Sequence, residues 1–381
     1  MHDEDWEFCR ASRSTPSSVG LQYDTGMTKR LFPSLLLTFF VTVSIAAQTP
    51  AKVDVMKLGP QIGQAVPDFR LADQRGHMWT RDSLMGPKGL MIVFSRSADW
   101  CPYCKTQMLE LQSRADEIKS RGLGLAVITY DSPAVLADFT TRRGITYPLL
   151  SDAGSATIKK YGILNTTVDR ASTDYGIPFP GTFVLDTRGV VTAKFFEEAY
   201  QERTTVSNIM VKLGQTGSAG INGRRISTAH LDVTTYASDQ VVAPGSLFSL
   251  VFDVAPHTGV HVYAPGPHSY KVIAVRLDPN PVVMVRPVRY PASETYVFAP
   301  LQERVQVYQK PFQLLADMAI DASREARPKL ASVDSVTITG TLDYQACDDK
   351  LCFNPTSVPV SYTVQLRQLD TERAHVAVPS R

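Results

Sequence analysis

Cys101-Pro102-Tyr103-Cys104 is the stretch of this sequence whose residue types and spacing point most directly to chemistry. Two cysteines separated by two residues at a helix start make a thiol–disulfide device. The first helical turn presents unpaired N–H groups and a partial positive charge. Both stabilise a thiolate and lower the pKa of the first cysteine. The thiolate attacks a disulfide, and the second cysteine resolves the mixed disulfide. On this reading Cys101 is an exposed nucleophile and Cys104 the resolving thiol. Pro102 suits the first turn, where its missing N–H costs little. The residue types leave a zinc half-site and a static disulfide open as alternatives. Zinc calls for further Cys or His ligands at suitable spacing, and the His257/His261 pair falls in a different part of the chain. No metal or cofactor is expected. A second pair, Cys347 and Cys352, brackets Asp348-Asp349-Lys350-Leu351; residue physics allows a structural staple or a redox pair there.

The elements that position the first pair read as an α/β domain. Gly89–Ser95 is a short apolar run, as expected of a strand covered on both faces. It leads through Arg96-Ser97-Ala98-Asp99-Trp100 into a helix predicted over Pro102–Ser120, with Met108, Leu111, Ala115 and Ile118 on one face. Val66–Leu71 and Gly76–Trp79 suggest a hairpin. Strands follow at Leu123–Tyr130, Tyr147–Ser151, Thr182–Asp186 and Val190–Phe196, alternating with helices at Pro133–Arg143, Ser155–Tyr161 and Glu198–Leu213. This alternation implies helices packed on a central sheet. The Gly-rich, apolar-poor stretch 214–225 reads as a flexible linker. Beyond it come short β-rich runs at Ser227–Tyr236, Ser246–Val254, Val260–Tyr263, Tyr270–Leu277, Val305–Tyr308, Val336–Leu342 and Val358–Leu366, which suggest a β-sandwich.

The 381 residues suffice for two domains, and 44% hydrophobic content supports real cores. A net charge of +2 gives no reason to expect nucleic acid or an anionic membrane as partner. Lys29-Arg30, the apolar run Leu31–Ala47 and its closing small residues have the order of a secretory signal peptide, with an uncleaved anchor as the alternative. Any membrane contact is expected only through that segment, and a periplasmic or secreted location follows. Met27 makes a better start than Met1, which would leave 1–26 a mis-assigned extension and remove Cys9, the fifth cysteine. The expected layout is signal peptide 27–47, linker 48–61, α/β domain 62–213, linker 214–225, β domain 226–369 and tail 370–381.

Trp100-Cys101-Pro102-Tyr103-Cys104 after an apolar strand resembles the thioredoxin superfamily site. With Val66-Pro67-Asp68-Phe69 and Phe179-Pro180-Gly181-Thr182-Phe183-Val184-Leu185-Asp186, the stretch from Ile62 to Leu213 is similar to the redoxin, or AhpC/TSA-like, branch. The resemblance implies a thioredoxin-like fold and a substrate-binding role for Trp100 and for a cis-proline facing the cysteines. Pro180 matches that proline, and Pro178 competes with it. Peroxiredoxins belong to the same branch, but with Cys104 as their peroxidatic cysteine, the Thr position holds Cys101 and the Pro position Ser97. That departure favours disulfide exchange over peroxidase activity, with a non-enzymatic binding protein as a third possibility. Tyr344–Pro355 and His261–Gly266 resemble the N-terminal periplasmic domain of DsbD, the thiol:disulfide interchange protein, over roughly Ile226 to Leu369. This implies an immunoglobulin-like sandwich whose Cys347/Cys352 pair is catalytic. The implied partners are protein thiols and disulfides, with electron exchange between the two pairs across the flexible linker. Tyr263 and Phe353 are expected to shield the second pair.

Overall fold

The computed structural model describes residues 53–215, 223–298 and 303–376. The apolar run 31–47 and the core of the Gly-rich stretch lie outside them.

The first domain is built on β1 (Arg70–Asp73), β2 (Met78–Thr80), β3 (Gly89–Phe94), β4 (Leu123–Thr129), β5 (Leu149–Ser151), β6 (Gly181–Leu185) and β7 (Val191–Phe196). They form a seven-stranded sheet in the order β2-β1-β5-β4-β3-β6-β7. The central β3 is parallel to β4 and antiparallel to β6. Every residue of β3 is buried, and alternate side chains serve opposite faces. Leu90, Ile92 and Phe94 join Ile128, Tyr161 and Phe183 on one side. Met91 and Val93 join Met108, Leu111, Leu136 and Phe139 on the other. The latter residues come from α1 (Pro102–Ser113) and α3 (Pro133–Arg143), while α2 (Ala115–Ser120) follows α1 after a break at Arg114. A short α4 (Ala156–Lys160) lies on the first side through Ile158. This is the expected thioredoxin-like α/β fold.

The predicted helix over 198–213 is only half there. Residues 203–204 form a strand, β8 (Arg203–Thr204), and the helix is confined to α5 (Val206–Lys212). Thr205 ends the extended stretch by capping α5, its hydroxyl accepting the Asn208 N–H at 3.2 Å. The upstream residues pair with the other domain instead.

That second domain is mostly strand: β9 (Arg224–Ser227), β10 (Leu231–Ala237), β11 (Val241–Val242), β12 (Ser246–Pro256), β13 (His261–Tyr263), β14 (Ala274–Leu277), β15 (Val283–Val285), β16 (Glu294–Phe298), β17 (Glu303–Tyr308), β18 (Phe312–Ile320), β19 (Ser335–Tyr344), β20 (Ala346–Cys347) and β21 (Thr356–Leu366), with one short helix, α6 (Arg327–Ala331). One sheet runs β15-β18-β12-β10-β9 and another β11-β21-β19-β14, with a smaller sheet β16-β17-β13-β20. Along β21, Val358, Val360, Tyr362, Val364 and Leu366 point inward and their neighbours outward, the period-two signature of a half-buried strand. The arrangement is an immunoglobulin-like β domain.

The two domains are clamped together rather than loosely tethered. β8 pairs in parallel with the start of β12, setting Arg203 against Ser246 and Thr204 against Leu247. Gly245 makes this approach possible: its φ is +85°, and a Cβ there would stand 2.3 Å from the Gln201 carbonyl oxygen. From α5, Asn208 donates to the Leu247 carbonyl and accepts from Ser249, while Lys212 pairs with Asp317 at 3.1 Å. Val53–Arg381 therefore form one compact unit. The freely moving linker expected between them is bypassed by β8 and α5, which belong by contact to both.

Candidate functional site

Cys101 is the N-cap of α1, and its Sγ accepts the Cys104 N–H at 3.3 Å. The two sulfurs are joined as a disulfide within the first turn. The loop ahead of them is fixed by Asp131, which follows β4. Its carboxylate accepts the Ser97 hydroxyl at 2.9 Å and the Ala98 N–H at 2.7 Å. The Ser97 oxygen in turn accepts the Asp99 and Trp100 N–H groups. Burial pushes the Asp131 carboxyl up to about 6. The Trp100 indole N–H donates to Tyr130 Oη at 2.8 Å.

The expected exposure of Cys101 is not what the structure shows. Cys101 is 1% exposed and Cys104 is fully buried. They pack with Tyr103, Ala322 and Leu369. Ala322 and Leu369 come from the second domain and the segment after β21, so it is the domain interface that covers the pair. Tyr103 Oη donates to the Ala322 carbonyl and accepts from Arg327 of α6. Sequence periodicity treats the polar face of α1 as solvent-exposed. Here Lys105, Thr106 and Gln107 are buried beneath a second domain.

The interface also brings in a residue that motif reading did not single out. Arg203, on β8, directs Nη2 at Cys104 Sγ over 3.3 Å. Its Nη1 donates to the Tyr200 and Glu202 carbonyls, and it forms no ion pair with a carboxylate among the described residues. Burial, reinforced by repulsion from Arg96, pushes its pKa down to about 9. Arg96 itself lies between the Trp100 and Tyr200 rings, 4.7 and 4.8 Å from their centroids. A buried guanidinium without a carboxylate, aimed at sulfur, is compensated when that sulfur becomes an anion. The helix start thus serves Cys101 with one N–H, whereas Cys104 faces a full cation. Arg203 also borders a cavity of about 30 Å³, whose lining includes Tyr103, Gln107, Glu110 and Arg367, enough for one water-sized molecule.

Pro180 is buried directly before β6, whose first residue, Gly181, is registered against Phe94 at the end of β3. Its topological place is therefore beside the loop that leads to the pair. No peptide bond among the described residues is cis, so neither Pro180 nor Pro178 adopts the cis geometry that the resemblance implied.

Cys347 and Cys352 form the second disulfide. Cys347 is buried on β20, opposite His261 of β13. Cys352 is exposed, after a turn that Asp348 closes by accepting the Lys350 and Leu351 N–H groups. Tyr263 Oη lies 3.1 Å from Cys347 Sγ and 3.5 Å from Cys352 Sγ. Its ring stacks on Tyr270 at 4.2 Å, and burial raises its hydroxyl pKa. The pair borders a cavity of about 140 Å³ with Tyr270, Tyr296 and Phe298. Tyr263 is thus in the shielding position expected of it. Phe353 is not; it packs on His230 at 4.3 Å. The apolar clusters around the two pairs share no residue.

Residues 62–194 match the AhpC/TSA family, and residues 232–362 match the N-terminal region of the thiol:disulfide interchange protein DsbD. Alkyl hydroperoxide reductase E of Mycobacterium bovis is 29% identical over 132 residues, 34% of this chain and 81% of that protein. Chloroplastic peroxiredoxin Q of Populus jackii is 27% identical over 177 residues, 46% of this chain and 79% of that protein. Among solved structures, peroxidoxin BcpB of Mycobacterium tuberculosis is 26% identical, with a TM-score of 0.33, over 37% of this chain and 89% of its own.

Proposed function

Since residues 62–194 are an AhpC/TSA family domain and residues 232–362 a DsbD N-terminal family domain, we propose that this thiol-dependent oxidoreductase works through Cys104 as nucleophile, Cys101 as resolving thiol and a small peroxide as oxidant. The observation that carries this reading is the Arg203 guanidinium against Cys104 Sγ in a site closed to solvent. The Cys104 thiolate attacks the peroxide, taking one oxygen as sulfenic acid while the other leaves as water or an alcohol. The Cys101 thiol then displaces water from Cys104, closing the disulfide. No unwinding of α1 is called for, because both sulfurs already occupy one turn. An external dithiol restores the pair. The relatives named as a hydroperoxide reductase and a peroxiredoxin support peroxide as the oxidant, and so does a neighbouring cavity of only about 30 Å³.

Exchange with protein disulfides is a second reading of the same pair, supported by the Cys-Pro-Tyr-Cys spacing. Cys352, being exposed, is the sulfur best placed to meet protein thiols and disulfides without rearrangement. The basic, apolar and small-residue order from Lys29 to Ala47 supports export to an oxidising compartment. The test is peroxide consumption with a small dithiol as reductant. Cys104→Ser should abolish it and Cys347→Ser/Cys352→Ser should retain it. Full activity in Cys104→Ser, or none in the wild type, overturns the peroxidase reading.

A further inference from the structure

Beyond β21 the chain does not stay with its own domain. Arg367 is still tied to β11 by its N–H on the Val242 carbonyl, and the next residues cross onto the first domain. Leu369 packs against Cys101, Tyr103 and Cys104. The Asp370 N–H donates to Thr106 Oγ1, and its carboxylate accepts two bonds from Arg143, at 2.7 and 3.0 Å. Lys105 Nζ is 3.7 Å from the same carboxylate and donates to the Glu372 carbonyl. The Glu372 side chain pairs with Arg143 and Arg142. Arg373 makes two bonds to Asp99, at 2.8 and 2.7 Å, and the Ala374 N–H adds a third. Asp99 lies two residues before Cys101.

The chemistry of this crossing is lopsided. Its apolar anchor is Leu369; the other contacts are charges and hydrogen bonds, and Thr371, Glu372 and Arg373 are exposed. An open groove of about 380 Å³ runs beside it, lined by Leu109, Arg143, Leu369 and Glu372. Segments that bury little apolar surface open at low free-energy cost; the Glu372 pairs with Arg142 and Arg143 are partly exposed and weakened by salt, whereas the Asp370 and Asp99 carboxylates are buried and hold the closed position.

We propose that residues 367–376 are a latch over the Cys101–Cys104 pair, closed by ion pairs to α1, α3 and the Asp99 loop. Closed, it admits only small molecules; released, it opens the pair to a protein thiol or disulfide. The latch rests on Cys101–Cys104 being the redox centre, but its test uses no oxidant and so can succeed or fail independently of peroxidase activity.

Arg143 touches neither sulfur, and its ion pairs are with Asp370 and Glu372. In reduced full-length protein lacking Cys9, Cys347 and Cys352, Arg143→Glu should raise the labelling rate of Cys101 and Cys104 by a polymer-linked maleimide about tenfold or more, as like charges face each other across the latch. Arg143→Lys should stay near the wild type. Asp370→Asn, from the other side of the contact, should also raise the rate. Amide exchange at 367–376 should accelerate in Arg143→Glu while that of β3 and β12 does not. Unchanged labelling by the bulky reagent in both Arg143→Glu and Asp370→Asn overturns the latch and leaves the domain interface alone as the cover.

Discussion

Replacing Arg203 by Met roughly keeps the volume of the side chain while removing the guanidinium that touches Cys104 Sγ at 3.3 Å. A hydrogen bond to a charged group contributes about 1.5–3 kcal/mol. With about 1.4 kcal/mol per pH unit, its loss should raise the Cys104 thiol pKa by roughly one to two pH units. From a native pKa at or above 7, the thiolate population at neutral pH then falls by roughly 10- to 100-fold. The more basic thiolate is also the better nucleophile, with a Brønsted coefficient of about 0.4–0.5. That returns part of the loss, so oxidation by peroxide at pH 7 should slow by roughly 3- to 15-fold. The same interaction favours the reduced state, so Arg203→Met should lower the reduction potential of the pair by about 30–60 mV, at 30 mV per 1.4 kcal/mol. Thiolate absorbance against pH, recorded in the Cys9→Ser, Cys101→Ser, Cys347→Ser, Cys352→Ser background, reads the pKa; equilibration with a glutathione series in the Cys9→Ser, Cys347→Ser, Cys352→Ser background reads the potential. Arg203→Lys, which keeps a charge without the planar fork, should fall between. A Cys104 pKa and a pair potential unmoved by Arg203→Met would refute the assignment of Arg203 as the counter-ion.

Other consequences follow from the interface and the second pair. The buried Glu110 carboxyl accepts the Val206 N–H that begins α5, and burial, with repulsion from Asp239, pushes it up from 4.5 to about 8. A carboxyl pKa raised by folding means that the native state holds the proton more tightly than the unfolded chain. Stability from this group is full below pH 4.5, declines between 4.5 and about 8 and is flat above. Denaturant unfolding across that range should show the decline, and Glu110→Gln should make it shallower, leaving the share of Asp131, raised to about 6. Gly245→Ala should cost roughly 1–3 kcal/mol by forcing a side chain onto a left-handed backbone against the Gln201 carbonyl; because β8 moves with it, the Cys104 pKa should rise as well. Tyr270→Ala removes the ring stacked on Tyr263 and should speed reduction of Cys347–Cys352 by a small dithiol several-fold without altering the Cys101–Cys104 rate. Asp131→Asn cannot accept from both Ser97 and the Ala98 N–H and should destabilise the chain by about 1–3 kcal/mol, since it leaves a buried donor unmatched.

The parts of this structure legible in the sequence are those set by local rules. Gly89–Phe94 reads as a doubly covered strand because both its faces are apolar, and α3 declares itself through Ser132 and Pro133 at its start and Gly144 at its end. The alternation in 356–366 gives the outline of β21, although a strand prediction starting at Val358 misses Thr356 and Ser357, which pair with Tyr344 and Asp343. What escaped is non-local. Arg203-Thr204-Thr205 sits at the head of a helical pattern, and only pairing with Ser246-Leu247, more than forty residues on, draws it into a strand. Phe312–Ile320 is nearly all apolar, so it lacks the alternation that marks a strand, being covered on both sides as β18. Lys105, Thr106 and Gln107 look like a solvent face until a second domain lies over them. For the same reason the spacing of Cys101 and Cys104 marks a candidate redox pair but neither its enclosure nor the cation that faces Cys104. A detectable signal for Arg203 was absent, since a single arginine outside any motif gains meaning only from the sulfur it faces.

The most direct test is to treat the reduced protein with one equivalent of hydrogen peroxide and locate the oxidation by mass spectrometry. The account predicts a Cys101–Cys104 disulfide in the wild type and a sulfenic acid trapped on Cys104 in Cys101→Ser. Oxidation that settles on Cys101 in Cys104→Ser at the wild-type rate, or a Cys104 that stays reduced in Cys101→Ser, would contradict it.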